Sequence, residues 1–385
     1  MLRFMTAGES HGPALVTIVE GLPRGLEVSS ERIADELARR RMGYGRGKRM
    51  AIERDEIEIL GGIRHGETLG SPVAVIVRNT EWPRWSEEMS PEPAPAKKQV
   101  TRPRPGHADL AGMLKYGTDD ARDILERASA RETAARTVAG ALAKIMLESA
   151  GVAVLSHVVS IGPATSEGPA PGPGDLHRID ESPVRCFDPE AEKAMITAIE
   201  DAKEQRDTLG GVFEVLAFGV PPGIGSHVHY DRKLDGLLAG AVMSIPAIKG
   251  VELGDGFEVA GLPGSKSHDE IVLDDGGLGR PTNRAGGTEG GMSNGETIRV
   301  RAAMKPISTL MRPLRTVDMT TGEAAEAVRE RSDVCAVPAA AVVGEQMVAF
   351  VLAAEMQRKF GGDNIDEFLA ALARYRSGLA GRPGR

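Results

Sequence analysis

Short motifs rich in glycine, histidine, arginine, lysine or small polar residues run from residue 8 to residue 333 of this chain. In order they are Gly8-Glu9-Ser10-His11-Gly12, Tyr44-Gly45-Arg46-Gly47-Lys48-Arg49, Arg104-Pro105-Gly106-His107-Ala108-Asp109 and Arg127-Ala128-Ser129-Ala130-Arg131-Glu132-Thr133, followed by Gly290-Gly291-Met292-Ser293-Asn294-Gly295, Lys305-Pro306-Ile307-Ser308-Thr309 and Arg331-Ser332-Asp333. Glycine lets backbone approach a ligand closely. Arginine forks grip phosphate and carboxylate, and histidine moves protons near neutral pH. Residues of this kind make one site only if the whole length folds around it. That constraint favours a single catalytic domain over residues 1–376, with 377–385 expected as a disordered tail. No stretch reads as a clean linker.

The order of elements supports α+β rather than regular βαβ units. Leu2–Ala7 and Ala14–Glu20 read as strands around the first motif. A helix is expected over Ser30–Arg41, with Ser30 as its cap, acidic residues early and Arg39, Arg40 and Arg41 late. Further helices are expected at Ala108–Tyr116, Arg131–Ala150, Pro189–Gln205, Arg232–Met243, Pro338–Phe360 and Ile365–Tyr375. Further strands fall at Ile57–Ile63, Val73–Val77, Val152–Ile161, Val212–Phe218 and Thr297–Met304. The segments Glu81–Pro105 and Gly261–Asn294 read as long loops, a length that usually signals function or disorder.

Charge narrows the partners. The formal net charge is −8 over 385 residues, which argues against nucleic acid or an anionic membrane. Yet basic residues crowd into 39–49, which suits a small polyanion. A basic RNA-binding reading would also need more stacking aromatics than a 4% content offers. The two cysteines, Cys186 and Cys335, have no metal-ligand spacing, and His227 and His229 have no third ligand nearby, so no metal is expected. No signal segment is apparent at the start, and Val348–Ala354 is too short to span a bilayer. The reading is a cytoplasmic protein acting on a small molecule.

Each motif has an ordinary alternative. Gly8–Gly12 fits the nucleophile-elbow pattern G-x-S-x-G, but it follows the first strand, whereas an elbow normally follows a mid-sheet strand. The better reading makes His11 an acid or base, with Ser10 donating a hydrogen bond. Gly43–Lys48 fails the phosphate-loop test for ATP, because Met42 stands where the first glycine is required and Arg49 follows Lys48. His107 opens a helix, where anions are favoured. Ser129 and Glu132 could form a capping box, which leaves Arg127 and Arg131 to be explained by a ligand.

In this order the motifs closely resemble the chorismate synthase family, and the match covers nearly the whole chain. The resemblance implies conversion of 5-enolpyruvylshikimate-3-phosphate to chorismate and phosphate by a 1,4-anti elimination that needs reduced FMN. It also implies a β–α–β sandwich with helices between antiparallel sheets, and a homotetramer. By the resemblance, His11 protonates the leaving phosphate, His107 serves the flavin, and Asp333 helps remove the ring proton. Ser10, Arg40, Arg46, Arg49, Arg104, Arg131 and Arg331 surround the substrate. Arg127, Ala128, Ser129, Ala247, Gly290, Lys305, Pro306, Ile307, Ser308, Thr309 and Arg331 contact FMN. Many members carry Asn in the segment that here reads Ser244–Gly250, where Pro246 offers no donor. Some members reduce FMN with NADPH and others use an external flavin reductase. The absence of long insertions points to the second kind.

Overall fold

Residues 1–46, 55–93, 97–274, 277–328 and 333–380 are described in the computed structural model. Alternating β-branched residues build two antiparallel sheets. The first contains β1 (Arg3–Ala7), β2 (Ala14–Glu20), β3 (Ile57–Gly61) and β4 (Val73–Arg78), in the order β1-β2-β4-β3. In β2, Leu15, Thr17 and Val19 are buried, and Ile18 and Glu20 are exposed. This is the period-two pattern of a sheet covered on one face. The buried Thr17 hydroxyl is satisfied by the Ala135 carbonyl at 2.9 Å.

The second sheet contains β5 (Ala153–Ile161), β6 (Ala164–Thr165), β7 (Gly211–Phe218), β8 (Ile248–Leu253) and β9 (Ile298–Met304), in the order β8-β9-β7-β5-β6. The sequence pattern gives no strand at β8. Its pairing with β9 is interrupted by a bulge between Ile248 and Gly250, and the register of β9 supplies what the alternation lacks. Likewise, the expected loop 261–294 carries two small hairpins among its described residues, Val272–Asp274 with Gly277–Gly279 and Thr288–Glu289 with Met292–Ser293.

Helices pack between and around the sheets. The longer ones are α1 (Ser30–Arg41), α2 (Asp109–Tyr116), α3 (Arg122–Ala128), α4 (Glu132–Ser149), α5 (Pro189–Glu204), α6 (Leu234–Met243), α7 (Val337–Phe360) and α8 (Ile365–Ala380). α4 packs on β1 and β2, α7 packs on β5 and β7, and α4 and α7 pack on each other. The architecture is therefore the expected β–α–β sandwich. The two central helices approach so closely that a Cβ on Gly140 would fall 2.2 Å from Gln346 Cβ. α7 is long and apolar enough to cross a membrane, but 89% of its most apolar window is buried inside the fold, so it serves as the core helix.

Three local expectations are corrected. Ser29, rather than Ser30, caps α1, accepting the Arg32 N–H at 3.2 Å. The Ser129–Glu132 capping box does not form: α4 begins after Arg131 with no side-chain cap, and Glu132 is instead bonded by Arg136 and Thr6. The helix α3 was missed. At the other end, α8 continues through 377–380, part of the expected tail. Tyr375 donates to the Pro222 carbonyl, and Arg376 donates to the carbonyls of Ala150 and Gly219, which ties its last turns to the body.

Candidate active site

The first motif forms a tight turn after β1. Gly8 has φ +102°, and a Cβ there would lie 2.3 Å from the Ala14 carbonyl oxygen, so the turn requires glycine. Asn79 pins it by donating to the carbonyls of Ser10 and Gly12, each at 2.9 Å. His11 Nδ1 sits 2.9 Å from both carboxylate oxygens of Glu126, and the His11 backbone N–H donates to Glu126 Oε2 at 2.9 Å. The Trp85 ring covers the imidazole, with centroids 4.1 Å apart. One helical turn before Glu126, Arg122 donates to its Oε1 at 3.0 Å and lies over Trp85. Burial pushes the Glu126 carboxyl up, but His11 and Arg122 outweigh it and hold the group below the usual carboxylate range. A carboxylate only accepts hydrogen bonds, so the hydrogen between His11 and Glu126 sits on Nδ1.

The turn between α3 and α4 carries the next group. Arg127 donates to the Gly8 carbonyl at 3.0 Å and to Thr6 Oγ1 at 2.7 Å. The Ser129 hydroxyl donates to Ser10 Oγ at 3.2 Å. Ser10 is thus bonded to a second hydroxyl rather than to a histidine, which removes the nucleophile–base contact of a serine hydrolase. Arg131 pairs with Asp55. Arg40 reaches from α1 to Thr133 Oγ1 at 2.9 Å and to the Ala130 carbonyl at 3.1 Å. Arg46 and Asp333, distant in sequence, meet at 3.2 Å. Arg49 and Arg331 lie outside the described residues.

A third group forms around His107. Asp109 is fully buried at the start of α2 and bonds both His107 Nδ1 and Arg104, the latter through Nε at 2.8 Å. Burial pushes the Asp109 carboxyl up, yet these two bonds hold it well below the usual range. Arg104 also donates to Thr309 Oγ1 at 3.2 Å, and Lys305 Nζ donates to the Gly106 carbonyl at 2.8 Å. The Lys305 backbone N–H donates to the Ala247 carbonyl at 2.9 Å, and Thr208 holds Ile307 through its carbonyl. The 305–309 segment is therefore clamped onto the 104–109 turn, bringing Pro306 and Ser308 with it. Burial, and after it the charge of Lys249, lowers the Lys305 ammonium. Ala247 has φ +69°, a strained backbone for a non-glycine residue and a common mark of a ligand site.

Gly290 stands apart. The carbonyl of its neighbour Gly291 accepts from Ser226 and from Leu234 at the start of α6, whereas Ala247 follows the other end of that helix, about 15 Å away along ten residues. The sequence reading also overlooked Glu126, Asp55 and Trp85. The signal available for Glu126 was its position four residues after Arg122 and directly before the Arg127 motif. A cavity of about 270 Å³ touches Glu126 and Arg122, but Glu9, Glu88, Asp120 and Asp123 make its wall acidic, so it is no place for a polyanion. Among the described residues no cluster of His, Cys, Asp and Glu has the make-up of a metal site.

The family model for chorismate synthase matches residues 2–357. The chain belongs to the chorismate synthase family. A relative named chorismate synthase from Acidothermus cellulolyticus is 60% identical, covering 97% of this chain and 98% of its own. One from Streptomyces coelicolor is 60% identical over 95% of each chain. A crystal structure of a chorismate synthase matches the fold with a TM-score of 0.80 at 42% identity, covering 98% of both chains. The expected reaction, loss of phosphate from 5-enolpyruvylshikimate-3-phosphate to give chorismate in the shikimate pathway, is the activity of this family. The chain is a lyase, and the family uses reduced FMN.

Proposed function

We propose that this chain carries out the elimination at the face where the His11 turn, the 127–131 turn and the 104–109 turn present their side chains. The observation that carries this reading is His11, bonded through Nδ1 to Glu126 and covered by Trp85. Arg40, Arg46, Arg49, Arg104, Arg131 and Arg331 hold the phosphate and two carboxylates of the substrate, with Ser10 donating to it. As the imidazolium, His11 gives its Nε2 proton to the departing phosphate oxygen and is left as the neutral Nδ1–H form. Asp333 helps take up the proton lost from the ring.

The residues fit FMN. Lys305 sets an ammonium against the 104–109 turn, Arg127 is partly exposed, and Ala247 holds a strained backbone against the 305–309 segment. With Ala128, Ser129, Pro306, Ile307, Ser308, Thr309 and Arg331 they would hold the cofactor, and His107 would keep a proton directed toward it. Reduced FMN, when bound, supplies electron density as the carbon–oxygen bond breaks and recovers it afterwards. The assembly is a cytoplasmic homotetramer, and the reductant is an external flavin reductase rather than NADPH used by the chain itself. An anaerobic assay with photoreduced FMN tests both parts. Chorismate should form there and not with oxidised FMN and NADPH in air. No chorismate in the anaerobic arm overturns the activity, and turnover in the aerobic arm overturns the reductant.

A further inference from the structure

We propose that Glu126 is the positioning residue of the proton donor, holding the Nδ1–H of His11 so that Nε2, which carries the second proton in the imidazolium acid, faces the substrate. The Nδ1–H tautomer is the form left when that proton is given up. The inference rests on the reading of His11 as proton donor. Its carboxylate binds the histidine at two points, the ring through Nδ1 and the main chain through the His11 N–H. The Ser10 N–H closes a third bond, to the Glu126 carbonyl at 2.9 Å. A carboxylate that served only to neutralise Arg122 would need none of these. Grip on both ring and backbone sets the side-chain torsion of His11, and Trp85 limits tilting of the ring. The Glu126 side chain is 2% exposed, so it acts through His11 and not on the substrate. The bond at one ring nitrogen decides which proton the other carries, as the buried aspartate does in a serine protease triad. The sign of the charge matters less than the acceptor. Glutamine can keep the acceptor oxygen, and alanine cannot.

The test begins with long-range proton–nitrogen NMR spectra of histidine-labelled protein, at a pH where the imidazoles are neutral. The His11 signals are assigned by their loss in His11→Ala. The wild type should show His11 protonated at Nδ1, and Glu126→Ala should shift it toward Nε2–H. In the photoreduced-FMN assay, Glu126→Ala should lower kcat about tenfold to a hundredfold with KM within about twofold, the scale expected when a catalytic group is misplaced. Glu126→Gln should recover most of that loss. An Nε2–H tautomer in the wild type overturns the proposal without any variant. So does full kcat in Glu126→Ala, or a Glu126→Gln enzyme as slow as the alanine variant. If the wild type makes no chorismate, the functional reading fails, while the tautomer measurement still decides the role of Glu126.

Discussion

Arg39 and Arg40 are neighbours on α1 and serve different regions. They point about 100° apart around the helix. Arg39 turns into the core, where its guanidinium bonds Glu345 at 2.7 and 2.9 Å and Asp180 at 2.8 Å. Lys144 joins through Glu36 at 2.6 Å, and Arg185 joins through Asp180. The cations Arg39, Lys144 and Arg185 are matched by the carboxylates Glu36, Asp180 and Glu345. Arg40 turns instead to the α3–α4 turn and bonds a hydroxyl and a carbonyl. Among the described residues Arg46 pairs with Asp333, Arg104 with Asp109, Arg131 with Asp55 and, at 3.9 Å, Arg127 with Glu132. A cation sealed against carboxylates contributes to the fold. Arg40 is placed instead at the turn that carries Arg127 and Arg131.

The largest expected effect falls in the open region. His11→Ala should lower turnover about a hundredfold to ten-thousandfold, the usual worth of general acid catalysis, with the melting temperature little changed. A mutant with wild-type turnover would remove His11 from the mechanism. The closed region should behave in reverse. Glu345→Ala leaves Arg39 and Lys144 buried without their main partner, and removing one partner of a buried pair costs about 3–5 kcal/mol. Denaturant unfolding should show that loss, while FMN binding by the folded fraction stays as it was. The sign with pH follows from the direction of the shift. Burial pushes the Glu345 carboxyl up, but Arg39 and Lys144 outweigh it and hold it well below its ordinary value. Its contribution is then complete above the unfolded value of about 4.3 and fades as pH falls toward the folded one. In Glu345→Ala that part of the acid transition should disappear.

Much of the frame was legible because it rests on local pattern. β2 and α1 have the bounds that alternation and end charges give them, and the order of the motifs carried the sandwich by resemblance. What was hidden depends on partners remote in sequence. Residues 39–49 read as one basic cluster, since nothing local separates Arg39, whose partner Glu345 lies in the core helix, from Arg40. Trp85 read as part of a polar loop, yet it stacks on His11. Ser129 and Glu132 have the spacing of a capping box, but Ser10 and Arg136 compete for them and win. Local rules fail here where tertiary contacts build the site.

An intermediate effect should come from Arg127. Its side chain is 40% exposed, and it bonds oxygens of Thr6 and Gly8. Arg127→Ala should weaken FMN by about tenfold to a hundredfold, the worth of one hydrogen bond to a charged group. Its effect on unfolding should be small beside that of Glu345→Ala. A flavin fluorescence titration in the presence of substrate measures the first quantity. Unchanged affinity would assign Arg127 to holding the Gly8 turn alone.

The smallest effect is one of ionic strength, and it sets the two regions against each other in a single sample. The screening length shrinks from about 10 Å at 0.1 M salt to about 3 Å at 1 M. Arginines that meet a solvated polyanion feel that change. The cluster of Arg39, Lys144 and Glu345 does not, because these side chains are at most 10% exposed and bonded directly to one another. Across that range of salt, the affinity for 5-enolpyruvylshikimate-3-phosphate should fall by roughly threefold to tenfold. Over the same range, Glu345→Ala should keep its full stability deficit against the wild type. Comparing variant with wild type at each salt concentration cancels the general effect of salt on folding. If the deficit shrinks in step with the affinity, water and ions reach the buried cluster, and the division drawn between Arg39 and Arg40 is lost. If the affinity does not move, the arginines of the turn are already neutralised within the protein, and the substrate must be held by other groups.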